Sequence, residues 1–496
     1  MQLLIKKLGA IKNNTQPIDL AKRFYIFVGL NNSGKTYVSQ LLWTIFNEKN
    51  INQFAKKSQI KNKLDINSQE HNEIEITPQI VEDILEEFAE FIKAQLVETY
   101  NTNQYSWFTK DISLAFQFNE EEIYNYGLEL NFNINIDDQQ NLKYIVVEKN
   151  KNSNLVSVAK KEMKEIPIDF FDKISKQHFE QHQKVIQKTI SESLIAAIIG
   201  LLLKHNHATF FLPASRIFYP IFYRYIYDIE RRKREQDIKQ LLDLIESSDN
   251  LAQVSPNKIR EIGLFKRSYT EPMNQVFEAI YSLNTNTQSL EYYTDLVKQL
   301  MGVMGGDISM EKIEGISPID FAFNFGQENK NLPMYLASSA ANQLSLLYFY
   351  LKYWVEKEHN FLMMDEPEEN LHPENQTLLL DLLVQFAKKN DNKVLITTHS
   401  PLMANAVNNY VYLSVLKNKY NCNVQDIVES NNLQYVNPNT SLAPEELGVY
   451  FFNGNKIIDY ETDDYGAYFR KFRQVEEGVD KSRNILTDYI YELENE

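Results

Sequence analysis

Four short strips of the sequence carry residues whose types and spacing could do chemistry. The first is Gly29-Leu30-Asn31-Asn32-Ser33-Gly34-Lys35-Thr36. It fits Gly, four residues, Gly-Lys-Thr, in which the backbone N–H groups of a glycine-rich loop wrap phosphates. Lys35 would reach the β- and γ-phosphates, and the Thr36 hydroxyl would hold Mg²⁺. The second is Asp365-Glu366, at the end of the apolar run Phe361-Leu362-Met363-Met364. An Asp there can hold the metal opposite Thr36, and the adjacent Glu is placed to polarise an attacking water. The third is Thr397-Thr398-His399-Ser400-Pro401, which offers an imidazole to a γ-phosphate or to that water. The fourth is Ala337-Ser338-Ser339-Ala340-Ala341-Asn342-Gln343, whose serine is at minimum an N-cap and whose helix N-terminus suits an anion. Together these strips describe a nucleoside-triphosphate site.

Such chemistry needs a strand behind each loop and a helix ahead of it. Phe24 to Val28 is an unbroken β-prone run of the length of a buried strand. From Tyr37 to Phe46 there is no Gly or Pro, and Val38, Leu41, Leu42, Ile45 and Phe46 recur at helical spacing. Lys393 to Thr398 reads as another buried strand, and Leu344 to Val355 as a helix following the serine strip. Strand ends are where an open α/β sheet presents its ligands. An α/β nucleotide-binding fold is therefore expected.

Around these strips the chain is mixed. Residues 1–28 read as two or three strands with a turn at Asn13-Asn14. Residues 47–75 are rich in Lys, Asn and Gln and read as a linker. Thr77-Pro78 opens a helix to about Thr99, and Leu128 to Ile136 alternates as a strand with Lys143 to Val147 as its neighbour. A helical stretch covers about 170–203, and Thr209 to Leu212 is a strand stopped by Pro213. Helices at 216–248, 271–284 and 289–304 read as a short helical arm; the charged run Arg231-Arg232-Lys233-Arg234-Glu235 reads as its solvated face.

Composition sets the class. The chain has 496 residues, enough for about three domains of average size. Its net charge of −16 does not point to nucleic acid as a partner. The single Cys422 rules out an internal disulfide framework and suits a reducing compartment. Met1 to Lys7 has no leader pattern, and the most apolar run, Leu194 to Leu203, falls well short of the roughly 20 residues a membrane-spanning helix needs. A cytoplasmic protein with no membrane partner is the expectation.

The order Gly29–Thr36, Ser338–Gln343, Phe361–Pro367, His399 resembles the ABC-type ATPase heads of the SMC, Rad50, RecF and OLD (overcoming-lysogenisation-defect) group. Asp365-Glu366-Pro367-Glu368 with Leu371-His372-Pro373, and Thr398-His399-Ser400-Pro401, are most similar to the OLD-type branch. That branch includes ATPase subunits of bacterial anti-phage systems such as Septu and PARIS. Leu212-Pro213-Ala214-Ser215-Arg216 resembles a further strip of it, set where ABC heads carry their Gln loop. The resemblance implies ATP and Mg²⁺ as cofactors, and a split, mixed sheet flanked by helices. Gly29, Asn31, Asn32, Ser33, Gly34, Lys35 and Thr36 would cradle the nucleotide, joined by Arg216. Ser338, Ser339 and Gln343 would act in trans on the nucleotide of a second copy. Thr36 and Asp365 would hold the metal, Glu366 would be the general base, Lys35 would assist, and His399 would sense the γ-phosphate. Ala340 departs from the pattern, since the group usually has Gly after the paired serines, where backbone can approach phosphate closely.

On that basis the head is expected in three pieces, 1–50, 205–216 and 305–430. An α+β insertion would occupy 51–204, a helical arm 217–304, and a small subdomain 431–496. OLD nucleases also carry a Toprim domain that needs an Asp-x-Asp pair. No Asp-x-Asp occurs here, so no nuclease centre is expected. The function implied is an ATP-hydrolysing homodimeric sensor of a phage-derived trigger, controlling a separately encoded nuclease or toxin. The alternative is a RecF- or SMC-like DNA-maintenance ATPase that clamps duplex DNA when ATP is bound.

Overall fold

Six strands form the central sheet: β1 (Phe24–Gly29), β2 (Ala208–Leu212), β3 (Asn360–Asp365), β4 (Lys393–Thr398), β5 (Leu447–Phe452) and β6 (Ile457–Asp459). Their spatial order is β2-β3-β4-β1-β5-β6. The pairings β3–β4, β4–β1 and β1–β5 are parallel, and β6 closes one edge antiparallel to β5. Every residue of β3 and β4 is buried, as expected of strands covered on both faces. The computed structural model describes residues 1–62, 64, 71–102, 111–136, 142–163, 179–204, 207–246, 269–284, 286–311, 320–325, 330–460, 462–463 and 466–494.

Helices that bear on the site start where the sequence provides caps. Helix α1 (Lys35–Phe46) follows the glycine loop, and α2 (Ser339–Phe349) is capped by the Ser338 side chain, which accepts from Ala341 N. Helix α3 (Pro373–Lys388) and helix α4 (Pro401–Asn418) each begin with Pro after a capping side chain, His372 and Ser400 respectively. Pro at the first helical position gives up an N–H that would have no partner there.

The chain divides into two compact units, Met1–Ala21 with Tyr37–Thr209, and Lys22–Thr36 with Phe210–Glu496. In the first, Gln2–Leu8 pairs with Ile11–Lys12, Ile18–Asp19 and Ser113–Gln117. A second antiparallel sheet joins His71–Glu75, Leu155–Met163, Leu142–Lys149 and Leu128–Ile136. Residues 1–21 thus group with the expected insertion and not with the head. Within 47–75, read as a linker, Glu48–Lys57 is a helix capped by Asn47, with Ile51, Phe54 and Ala55 buried. Its short apolar face was masked by the polar residues around it. Helix Pro78–Thr99 lies where Thr77-Pro78 predicted it and buries Val81, Ile84, Leu85, Phe88 and Ile92.

The second unit holds the central sheet and one large apolar core. That core includes Val276, Phe277, Ile280 and Leu283 of one expected arm helix, and Leu296, Val297, Leu300, Val303 and Met304 of the next. The arm expected over 217–304 is corrected accordingly: its helices Glu271–Ser282 and Thr294–Met304 are head core. Helix Phe218–Glu246 keeps Phe218, Phe222, Tyr225 and Ile229 exposed. The stretch 431–496 is not a separate subdomain either. Its strand β5 pairs with β1 in the centre of the sheet, because a parallel strand next to the phosphate loop can come from any distance along the chain. Among the described residues, no helix is long and apolar enough to cross a membrane.

Candidate functional site

Parallel pairing brings the chemistry to one edge of the sheet. The register sets Thr398 opposite Val28, Asp365 opposite Thr397, and Phe452 opposite Gly29. The phosphate loop, Asp365-Glu366 and the Thr397–Pro401 strip therefore emerge at the carboxyl ends of their strands, where open α/β sheets bind ligands. Gly29 has φ +144°, and a Cβ there would stand 2.2 Å from the Phe452 carbonyl oxygen. Gly34 has φ +98° and Asn32 φ +57°, backbone conformations that glycine, and to a lesser extent asparagine, adopt most readily. Ser33 Oγ donates to Leu30 O at 2.6 Å, closing the loop on itself. Lys35 Nζ donates to the carbonyls of Gly29 (3.2 Å) and Leu30 (2.9 Å), so the cation spans the loop. Burial lowers the Lys35 pKa, while the charges of Glu366, Asp365 and Glu368 oppose that shift. Asn31, Asn32 and Thr36 are exposed along the loop.

Asp365 is buried at the end of β3. Burial pushes its pKa up to about 6, held back by hydrogen bonds from Thr36 and Thr397 and by the Arg216 charge. Thr397 Oγ1 donates to Asp365 Oδ1 at 3.0 Å. Glu366 follows with φ +46°, a left-handed conformation that costs a non-glycine residue of order 1–3 kcal/mol. The turn is held in place by its amide, which donates to Thr397 O at 3.0 Å, and by Arg216 on its carbonyl. Glu366 Oε1 lies 3.5 Å from His399 Nε2, both side chains about one-third exposed. Burial lowers the His399 pKa and the Lys35 charge adds to this, so the imidazole is neutral near pH 7.

Arg216 lies at 0% exposure and sends its guanidinium to four carbonyls. Nε donates to Gln343 O (3.1 Å), Nη1 to Pro213 O (3.1 Å) and Asp365 O (2.5 Å), and Nη2 to Glu366 O (2.8 Å). Burial lowers its pKa to about 10, which leaves it charged at neutral pH. The residue expected beside the nucleotide thus lies behind the Asp365-Glu366 turn, tying it to α2. Gln343 is also fully buried, and its Nε2 donates to Glu369 Oε2 at 3.3 Å in the same chain. Ser338 and Ser339, by contrast, are exposed at the start of α2, beside Tyr335 (67% exposed) and Leu336 (59%). The strip expected to act as one group in trans is split: serines outward, glutamine inward.

A family model described as "AAA ATPase domain" matches residues 1–404. The chain belongs to that family. Solved structures similar to this ATPase domain include an SMC head from Pyrococcus furiosus, with an extended coiled coil and bound to the C-terminal domain of ScpA. There the identity is 10%, the coverage 97% of this chain and 98% of that chain, and the TM-score 0.31. The SMC head domain from Thermotoga maritima matches at 10% identity over 93% of this chain and 98% of that chain, with TM-score 0.28. No curated protein matches.

The donor set of this ATPase domain fits a magnesium-nucleotide. Hard cations take oxygen ligands, and Thr36 and Asp365 are an oxygen pair already joined by a hydrogen bond. Two residues that motif reading passed over also stand in the site. Thr397 couples Asp365 to β4, and Glu368 accepts hydrogen bonds from Thr398 Oγ1 (2.7 Å), His399 N (2.7 Å) and Ser400 N (3.1 Å). Neither bond follows from spacing, since the partners are about thirty positions apart. The hint in the sequence was a carboxylate just past Pro367 that no helix or strand required.

Proposed function

We propose that this chain hydrolyses ATP in a site completed by a second copy of itself. In this reading Gly29, Asn31, Asn32, Ser33 and Gly34 line the phosphates with backbone amides, and Lys35 turns from its loop carbonyls to the β- and γ-phosphates. Glu366 takes the proton of a water as its oxygen attacks the γ-phosphorus; the bond to the bridging oxygen breaks, giving ADP and phosphate. His399, neutral and in reach of Glu366, donates to or accepts from the water or the γ-phosphate. Thr36 and Asp365 would hold Mg²⁺, which when bound neutralises charge on the phosphates.

The observation that carries the reading is the Glu366–His399 pair set beside Lys35, with Ser338 and Ser339 exposed on a separate helix end. Exposed serines with open helix N–H groups suit a phosphate presented by another subunit. Glu366→Gln tests it. The variant should keep ATP, lose turnover, and show ATP-dependent dimers by light scattering. Hydrolysis at the wild-type rate would refute the assignment.

For the biological role, we propose a regulatory subunit of a bacterial anti-phage complex, sensing a phage-derived trigger and restraining a separate nuclease or toxin. The support is the motif set around Asp365-Glu366-Pro367-Glu368 and Thr398-His399-Ser400-Pro401. Co-expression with the neighbouring open reading frame should yield a complex that ATP or the trigger remodels. Tight, salt-sensitive binding of duplex DNA with ATP and no co-purifying partner would favour the DNA-clamping reading instead.

A further inference from the structure

The amides that lead into α4 face an anion that the protein itself supplies. His399 N and Ser400 N both donate to Glu368 Oε1, at 2.7 and 3.1 Å, and Thr398 Oγ1 makes a third bond to the same oxygen at 2.7 Å. Helix N-termini attract negative charge, and bonds to an ionised oxygen are stronger than those to a neutral one. The cap is continued by Ser400, whose Oγ accepts from Met403 N (3.2 Å) and donates to Gln376 Oε1 (2.7 Å). Pro401, next in line, has no N–H to satisfy. One carboxylate oxygen therefore holds the main chain on both sides of the His399 Cα.

Glu368 is poorly suited to act on substrate itself. Three donors occupy Oε1, while Oε2 is buried with no hydrogen-bond partner. Glu366, two residues earlier, keeps a partly exposed carboxylate toward His399. Glu366 and Glu368 divide the work by direction, one toward the imidazole and one toward the backbone that carries it.

We propose that Glu368 is a positioning residue of the hydrolytic site, holding the His399 main chain so that its imidazole stays in reach of Glu366 and the γ-phosphate. This deepens the function proposed above and rests on its roles for Glu366 and His399. Releasing the loop displaces the imidazole while leaving the phosphate loop, and so nucleotide affinity, untouched. A displacement on the order of 1 Å costs up to about a hundredfold in rate.

The test is Glu368→Ala in the full chain, followed by steady-state ATPase kinetics, binding of a fluorescent ATP analogue, and hydrogen–deuterium exchange over the segment carrying His399 and Ser400. Expected are a fall in kcat of about tenfold to a hundredfold, affinity within roughly threefold of wild type, and faster exchange confined to that segment. Glu368→Gln keeps an acceptor oxygen and should recover most of kcat. If Glu368→Ala does not fold, Thr398→Val removes one of the three donors and should lower kcat by about threefold with affinity unchanged. Wild-type turnover in the variant that folds overturns the proposal. So does a parallel loss of turnover and affinity, or a failure of Gln to restore what Ala removes. Glu366→Gln is run alongside. If it turns over normally, the reading of the site falls; if it is dead while Glu368→Ala is unaffected, only the role of Glu368 falls.

Discussion

Arg216→Ala is the substitution whose outcome depends most directly on the geometry. Four bonds from one buried guanidinium hold Pro213, Gln343, Asp365 and Glu366 by their carbonyls. Hydrogen bonds to charged groups contribute about 1.5–3 kcal/mol each, which sums to roughly 6–12 kcal/mol gross. Against this stands the cost of taking a cation out of water, several kcal/mol. Alanine removes both terms, and leaves four carbonyls facing a cavity. Truncating one partner of a buried charged site costs about 3–5 kcal/mol, and that is the expected loss here. At roughly 2–4 °C per kcal/mol for a large domain, the midpoint of thermal unfolding should fall by about 10 °C. Calorimetry on wild type, Arg216→Ala and Arg216→Lys would read this. Lysine supplies three donors without the planar fork and should recover only part of the loss. ATP turnover should fall in both variants, because the Glu366 carbonyl is one of the four anchors. A midpoint within about 2 °C of wild type for the alanine variant would refute the clamp, as would a lysine variant indistinguishable from wild type.

Other outcomes follow from the same geometry. Lys35→Ala should abolish ATP binding in a fluorescent-nucleotide titration while leaving the protein folded, since the two carbonyls that accept from the cation belong to its own loop. Gly29→Ala should destabilise the fold by at least about 2 kcal/mol, because a Cβ 2.2 Å from Phe452 O at φ +144° forces backbone to move; urea unfolding would measure it. The raised pKa of Asp365, about 6, makes its protonated form the one the fold prefers. Its stabilising contribution is therefore complete below the ordinary value of 3.8 and is lost as pH rises through about 6. Without Mg²⁺, Asp365→Asn should melt higher than wild type at pH 8 but not at pH 4. Mg²⁺ needs the carboxylate, so magnesium-dependent nucleotide affinity should weaken between pH 7 and pH 5 in wild type.

What the sequence disclosed is what local pattern encodes. The glycine loop, the acidic strand end and the Thr397–Pro401 strip were legible because each joins a buried run to a residue type that the chemistry requires. Helices such as Pro78–Thr99 were legible from a cap and a period. Two kinds of information were not. An apolar face says that something covers it, not what, so Glu271–Ser282 and Thr294–Met304 read as an arm although they pack into the head core. Likewise, β5 read as part of an appendage because nothing in Leu447–Phe452 names β1 as its partner. Side-chain to main-chain contacts were equally silent. The carbonyls that Arg216 holds lie up to 150 positions away, and the amides that Glu368 holds about thirty. Gln343 turned inward although Ser338 and Ser339 face solvent, because the serines stand at the open end of the helix, whereas every residue from Ala341 to Phe349 is buried.

The position of β1 between β4 and β5 has a consequence in time. The phosphate-loop strand leaves the ribosome long before its two neighbours in the sheet, residues 393–398 and 447–452. At about 5–20 residues per second, synthesis reaches Phe452 some 20–80 s after Gly29. Throughout that interval Leu30 N lacks the Phe452 carbonyl it will bond, and for most of it Asp365 and Glu366 have not yet been made. A nascent chain therefore carries the whole glycine motif but no nucleotide site. The carboxylates of the site arrive with β3, more than three hundred residues after Lys35, and the last bond of the loop waits for β5.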